Sequence, residues 1–242
     1  MSTSESYYHR RHLPAFSSIG QGNADLARRF FDYYGAAFAD GAMSVRLKDL
    51  TALAVAHIVQ CPYCIDAYTK GSLEAGSDLD QMTEAVHVAA ATRAGSTVGY
   101  GMQMRTQAGE LQMGADAPKP VDGYFERRQV DALNSMSDGA PDLFSRLQDY
   151  QSSVFDDGAL ERREKALIAL ACAHALQCPY SIDRAVRMLE AEDVGLDEMT
   201  EAIHVATAIR GGASLVHGIQ MLEQVAERRV RLDHGAAEAL EV

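Results

Sequence analysis

Cys61 and Cys64 stand two residues apart in the run Gln60-Cys61-Pro62-Tyr63-Cys64-Ile65-Asp66. The thiolate is the reactive form of cysteine, and a pair at this spacing can close and reopen a disulfide, exchanging two electrons with a substrate and a reductant. Pro62 cannot continue a helix but suits the first turn of a new one. Cys61 is therefore expected near an N-cap and Cys64 in the first turn, where unpaired N–H groups favour charge on sulfur. The same spacing also admits half a zinc site or two inert thiols. Zinc wants four ligands, and only His57 and His87 could add to the pair in this half. Redox chemistry is the expectation, with no metal and no cofactor.

The run recurs 117 positions later as Gln177-Cys178-Pro179-Tyr180-Ser181-Ile182-Asp183, with oxygen in place of one sulfur. That offset continues through Phe38/Phe155, His57/His174, His87/His204 and Met104/Met221. Roughly half of the paired positions from Phe38 onward are identical, which marks a tandem duplication. The second copy cannot form the sulfur pair, and Asp49 falls on Ala166 there, so it is expected to serve as a packing scaffold. Residues 1–113 and 124–242 are expected to form two domains, each with its own core, joined by a linker at 114–123.

The elements that must position the thiols are helical by periodicity. Apolar residues recur at three- and four-residue spacing over 25–39 and 45–59, Ser44 is placed to cap the second of these, and Gly41 follows the first as a stop. A helix from the Cys-Pro turn to about 75 and a long Ala-rich helix over 79–107 complete the first copy. The second copy repeats the programme over 141–155, 159–176, 179–192 and 196–229, and 233–242 is expected to fray or form a short helix. No alternating strand pattern occurs, so the class is all-α. Cys172 lies within an apolar helical run and is expected in the core, while Met82, Met102 and Met104 take helix-packing positions.

A net charge of −12 with 47% apolar and 23% charged residues describes a folded chain that excludes nucleic acid and anionic membrane surfaces as partners. Residues 1–6 are polar and no apolar run reaches a membrane span, so the chain is expected in the cytoplasm. His57 lies four residues before Cys61 and could act as a base toward the thiols. It could equally be a structural histidine at a helix end, since His174 recurs beside the incomplete motif. Glu84 and His87 share a helical face and Arg93 follows, an array suited either to a small anionic substrate or to solvated and intersubunit contacts.

The cysteine run, the apolar helix before it and the long helix with Glu84, His87 and Arg93 after it resemble the carboxymuconolactone decarboxylase and AhpD-like alkylhydroperoxidase superfamily. The likeness is nearest to the branch of arsenosugar-biosynthesis-associated peroxidase-like proteins. Phe38-Ala-Asp-Gly-Ala, Ala54-Val-Ala-His57 and Met82-Thr-Glu-Ala-Val-His87 carry it, as do Arg163-Glu-Lys-Ala-Leu-Ile-Ala-Leu and Ile209-Arg-Gly-Gly-Ala-Ser-Leu-Val-His217 in the second copy. The resemblance implies an all-helical fold, assembly into a homo-oligomer (a trimer, with a dimer as alternative) and peroxidase chemistry in which Cys64 attacks and Cys61 resolves. It implies a small oxidant such as a peroxide as substrate and an external thiol reductant. Peroxidase members carry a glutamate twelve residues before the first cysteine and a histidine four after the second. Asp49 and Tyr68 hold those places here, and Tyr63 stands where some members have a histidine. Asp49, Tyr68 and His57 are thus the expected partners of the thiols, and Tyr63, Glu84, His87 and Arg93 the expected substrate contacts. Two alternatives accompany this expectation: a non-redox lyase acting on a small carboxylate through His57, Glu84 and Arg93, and a binding protein for a thiophilic species such as trivalent arsenic.

Overall fold

A computed structural model describes Tyr8, residues 10–113, Phe125 and residues 133–240. Its α-helices are α1 (Ala24–Phe38), α2 (Val45–Ile58), α3 (Pro62–Glu74), α4 (Leu79–Met113), α5 (Pro141–Val154), α6 (Arg162–Leu176), α7 (Pro179–Ala191) and α8 (Leu196–Leu240). No strand occurs among the described residues, in keeping with the all-α expectation. Caps fall where the sequence puts them: Ser44 accepts the Leu47 N–H at the start of α2, and Pro62 occupies the first turn of α3. Helices α4 and α8 run past their expected ends at 107 and 229. Gly109 and Gly235 lie within these extensions, but the Ala, Glu and Leu around them are strong helix formers and outweigh one glycine each. A 3-10 helix over Arg10–Gly20 and another over Leu133–Ser137 were not anticipated. The linker expected at 114–123 lies outside the described residues.

The expectation that each copy encloses its own core does not hold. One continuous cluster of buried side chains draws on both copies, from Leu50, Leu53 and Val55 on α2 to Leu167, Ile168 and Leu170 on α6. Helices α2 and α6 are rich in Ala as well as Leu, so apolar surface wraps much of each cylinder and calls for neighbours on several sides. The long helix of the other copy supplies one of them: α2 packs against α8, and α6 against α4. Met82 and Met102 are buried as expected, but Met104 and its counterpart Met221 are each 57% exposed.

Two symmetry-related ionic locks fasten the copies. Lys48 and Lys165 are each only 2% exposed. Lys48 Nζ pairs with the Glu201 carboxylate at 2.9 Å, and Lys165 Nζ with that of Glu84 at 3.0 Å. Each carboxylate also accepts two backbone N–H groups from the opposite copy, Glu201 those of Ala42 and Met43, Glu84 those of Ala159 and Leu160. The loop glycines Gly41 and Gly158 permit this approach, because a Cβ on either would overlap the incoming carboxylate. Beside the locks, His87 Nδ1 meets the Tyr150 hydroxyl at 2.9 Å and His204 Nδ1 meets that of Tyr33 at 3.1 Å.

Candidate active site

The turn from α2 to α3 creates the thiol geometry. Gln60 takes a left-handed conformation (φ 57°), as does Gln177 in the second copy (φ 55°). This conformation costs a residue with a Cβ roughly 1–2 kcal/mol, and it reverses the chain so that Cys61 becomes the extended N-cap of α3. Cys61 Sγ accepts the Cys64 N–H at 3.3 Å and the Cys64 S–H at 2.8 Å. Both cysteines are free, Cys61 fully buried and Cys64 9% exposed. The arrangement gathers donors around one sulfur, which favours the thiolate on Cys61. Hydrogen bonding from Cys64, together with His217, brings the Cys61 thiol down to about 6 against the pull of burial. The Cys64 thiol is pushed far up, first because its proton is held by Cys61 and then by burial.

His217 was not anticipated as a site residue, and it takes the place expected of His57. The Nδ1–H of His57 donates to the Leu53 carbonyl at 2.9 Å, as that of His174 does to Leu170. The imidazole beside the Cys61 sulfur comes instead from α8 of the second copy, with its ring edge-on to Tyr63 and Tyr8. One signal in the sequence points to it. At the 117 offset His217 falls on Tyr100, so the copies differ there as they do at Cys64/Ser181.

Cys64 lies on the wall of a cavity of about 180 Å³, whereas Cys61 does not. Leu13 and Phe16 of the first 3-10 helix, Phe30 and Phe31 of α1, and Ile209 and Val216 of α8 make its apolar lining. Its polar groups are phenolic. The Tyr34 hydroxyl hydrogen-bonds that of Tyr68, and Phe38 stacks between their helices on both rings. Burial, and then the nearby Cys64, Asp49 and Cys61, push Tyr34 up, so it keeps its proton. Asp49 is half-buried behind this pair, and burial followed by Glu74 raises its carboxyl. The Tyr63 hydroxyl is buried without a hydrogen-bond partner among the described residues.

Glu84, His87 and Arg93 do not reach this cavity. The first two are taken up by the seam between copies, and Arg93 donates to the Ile58 carbonyl at 3.1 Å, closing the C-terminal end of α2 ahead of the motif. They were expected as substrate contacts, and in this structure they bind backbone and the seam between copies. Cys172 is fully buried in α6 and its thiol is pushed up by burial, as a core residue's should be. Among the described residues no cluster of three or more His, Cys, Asp or Glu side chains is placed to hold a metal ion, and no helix is long and apolar enough to cross a membrane.

The Carboxymuconolactone decarboxylase family model matches residues 24–104 and 141–224, once per copy. The chain belongs to this family. Within the family setting, a relative described as "Uncharacterized protein 4 in cox locus" from Paracoccus denitrificans is 38% identical over 86 residues, covering 36% of this chain and 78% of that protein. A crystal structure of a protein described as a gamma-carboxymuconolactone decarboxylase subunit, from Burkholderia xenovorans LB400, superposes with a TM-score of 0.68 over 90% of this chain and 94% of that one. Its identity of 16% makes this a likeness of fold.

The family member's thiol pair makes a direct pH prediction. Replacing His217 with alanine should raise the pH at which the first thiolate appears above about 6, by less than loss of the Cys64 hydrogen bond would, read by ultraviolet thiolate absorbance or alkylation rate. Folding lowers Cys61, so stability due to it grows as pH rises from about 6 to 9.0. Cys64 is raised, so above 9.0 the unfolded chain loses that proton first and stability falls again. Denaturation midpoints across this range should therefore peak near pH 9 and flatten in the Cys61→Ser variant.

Proposed function

We propose that the protein is a thiol-dependent peroxidase that reduces a small organic hydroperoxide, with an external dithiol as reductant. The observation that carries this reading is a pair of free thiols 2.8 Å apart, one of them on the wall of an apolar cavity. The lining favours an alkyl or aryl hydroperoxide, whose body can lie against the phenylalanines.

Cys64 passes its proton to Cys61 along the S–H···S bond, and its thiolate attacks the outer peroxide oxygen. The S–O bond forms as the O–O bond breaks, and the departing alkoxide takes a proton from the Tyr34–Tyr68 hydroxyl pair and leaves as the alcohol. Asp49, its carboxyl raised by burial, relays a proton from solvent to the phenols. Tyr63 offers its free hydroxyl to the bound substrate. Cys61 then gives its proton to His217 and attacks the sulfenic sulfur. The disulfide forms, hydroxide departs and the imidazolium protonates it to water. The external dithiol reduces the disulfide and restores both thiols. A pool of such reductant is found in the cytoplasm, where we place the protein.

The test is to treat the reduced protein with stoichiometric cumene hydroperoxide and map the thiols by peptide mass spectrometry. Loss of both thiols to a Cys61–Cys64 disulfide, with release of the alcohol, is the expected result. Persistence of both free thiols sinks the proposal, and tight binding of arsenite without peroxide consumption would replace it with the binding alternative. Assembly into a homotrimer belongs to the same proposal. Leu26, Leu79 and Met104 and their counterparts Leu143, Leu196 and Met221 are exposed at symmetric positions, and packing between chains would cover them. Light scattering of the full chain should give three times the chain mass of 26.3 kDa.

A further inference from the structure

The mouth of the thiol cavity is built from two rings on separate elements. Phe16 comes from the 3-10 helix over Arg10–Gly20 and Phe31 from α1, and both line the cavity that holds Cys64. Phe31 is 41% exposed, so the cavity meets solvent at this ring. The two rings stand edge to face, with centroids 5.5 Å apart at 76°, an attractive contact geometry for aromatic side chains. The 3-10 helix that carries Phe16 is itself anchored. His12 Nδ1 meets the Glu223 carboxylate of α8 at 2.8 Å, Arg10 pairs at the surface with Asp66 of α3, and Ile19 fills the notch at Gly218, where an added Cβ would come within 2.7 Å of its Cδ1. An opening bounded by anchored rings has a set width.

The second copy shows the same place without the rings. At the 117 offset Phe16 becomes Leu133 and Phe31 becomes Gln148, and both line the counterpart cavity. There the Gln148 Nε2 donates to the Asn134 Oδ1 at 3.4 Å, so an amide contact joins the 3-10 helix to α5 where two aromatic rings join it to α1 in the first copy. The space behind is about 500 Å³, against about 180 Å³ at the thiols. Part of that difference lies deeper, where Tyr68 and Phe30 become Ala185 and Leu147. The exchange at the mouth replaces two flat, stiff rings with a branched aliphatic side chain and a flexible amide.

Resting on the peroxidase reading, we propose that Phe16 and Phe31 form a gate that sets the size of hydroperoxide reaching Cys64: slim alkyl and single-ring aryl hydroperoxides pass, and multi-ring ones are excluded. The selection is steric and falls on the body of the substrate, since the hydroperoxy group is the same in all of them. Such a gate discriminates through kcat/KM, because an excluded body never brings its oxygen to the thiolate.

The experiment measures kcat/KM of the full chain for tert-butyl, cumene and triphenylmethyl hydroperoxide with dithiothreitol as reductant. Alongside it, labelling of Cys61 and Cys64 by N-methylmaleimide and by N-(1-pyrenyl)maleimide is mapped by peptide mass. Triphenylmethyl hydroperoxide should be used at least about a hundredfold less well than cumene hydroperoxide. In the Phe16→Leu/Phe31→Gln variant, which copies the second mouth, that ratio should narrow by about tenfold or more, and the pyrenyl-to-methyl labelling ratio should rise in step. Only ratios are read, so a loss common to both members of a pair cancels. Equal use of the three hydroperoxides by the unaltered chain, or ratios that the variant leaves unchanged, would overturn the gate. If no hydroperoxide turns over, the peroxidase reading fails and the labelling decides the gate alone: reaction of the thiols with the pyrenyl reagent as readily as with the methyl one, or with neither, overturns it. Should the double variant fail to fold, Phe31→Gln at its exposed position takes its place, with the same expected and overturning results.

Discussion

Cys64→Ser is expected to abolish peroxide turnover, lowering kcat/KM by about a thousandfold or more, equivalent to roughly 4 kcal/mol of barrier. A serine hydroxyl at the cavity wall is not ionised near neutrality and cannot take the place of a thiolate. Cys61→Ser should behave differently. Cys64 keeps its place on the cavity wall, so one round of peroxide attack survives, but the acceptor for its proton is weaker and the resolving sulfur is gone. The expected product is a protein stopped at the Cys64 sulfenic acid, trapped by dimedone and visible by mass, with no sustained turnover. If the roles were reversed, Cys64→Ser would be the variant that accumulates sulfenic acid, on Cys61. The comparison therefore separates the two assignments by product, without relying on rates.

Glu84→Gln should cost about 3–5 kcal/mol of stability. The loss goes beyond an ordinary surface ion pair because the partner, Lys165, is almost fully enclosed and would be left as an uncompensated charge. Urea denaturation of the single variant measures it. Adding Lys165→Met to Glu84→Gln should recover much of the loss, since an apolar side chain of similar length fits where the buried ammonium stood. Failure of the second change to rescue the first would show that the carboxylate acts chiefly through the Ala159 and Leu160 N–H groups. A pH series gives an independent check. Burial by itself would raise the Glu84 carboxyl, but the Leu160 N–H, the Lys165 ammonium and the Ala159 N–H together hold it below its usual 4.5. Glu201 is held down in the same way by Met43, Lys48 and Ala42. The stabilisation from both locks is thus complete above 4.5 and disappears as acid takes the pH through the lowered values.

Helix starts were legible because they depend on local chemistry. Ser44 announces α2 because its hydroxyl can accept a backbone N–H, and Pro62 announces α3 because it has no N–H to donate. The duplication was equally plain, as was the placement of Cys61 at an N-cap. The sharing of long helices between copies was not legible, because the apolar faces of α4 and α8 state that they must be covered without stating by which copy. His217 was hidden by the same ambiguity, since it is 153 positions from Cys64 and reaches the thiols only because α8 also packs on the first copy. Glu84 and His87 looked like a functional face because seam residues and substrate contacts share a composition. What separates them is the identity of the neighbour. A comparison of the copies for differences as well as likenesses would have gone further: Tyr34/Gln151 and Ala67/Arg184 line the two cavities where they part ways, and Tyr100 and His217 stand near Cys178 and Cys61.

Because each motif is finished by a helix from the opposite copy, joining the copies in one polypeptide has a genetic consequence. A lone copy carrying Cys64 would have to pair with its twin, and every change would appear twice in the resulting dimer, with tyrosine rather than histidine facing both thiol pairs. Fusion breaks that bondage. It secures a fixed pairing of unequal siblings, so that one pocket can be held constant while mutation explores the other, and neither outcome depends on two separate chains finding each other in the correct combination.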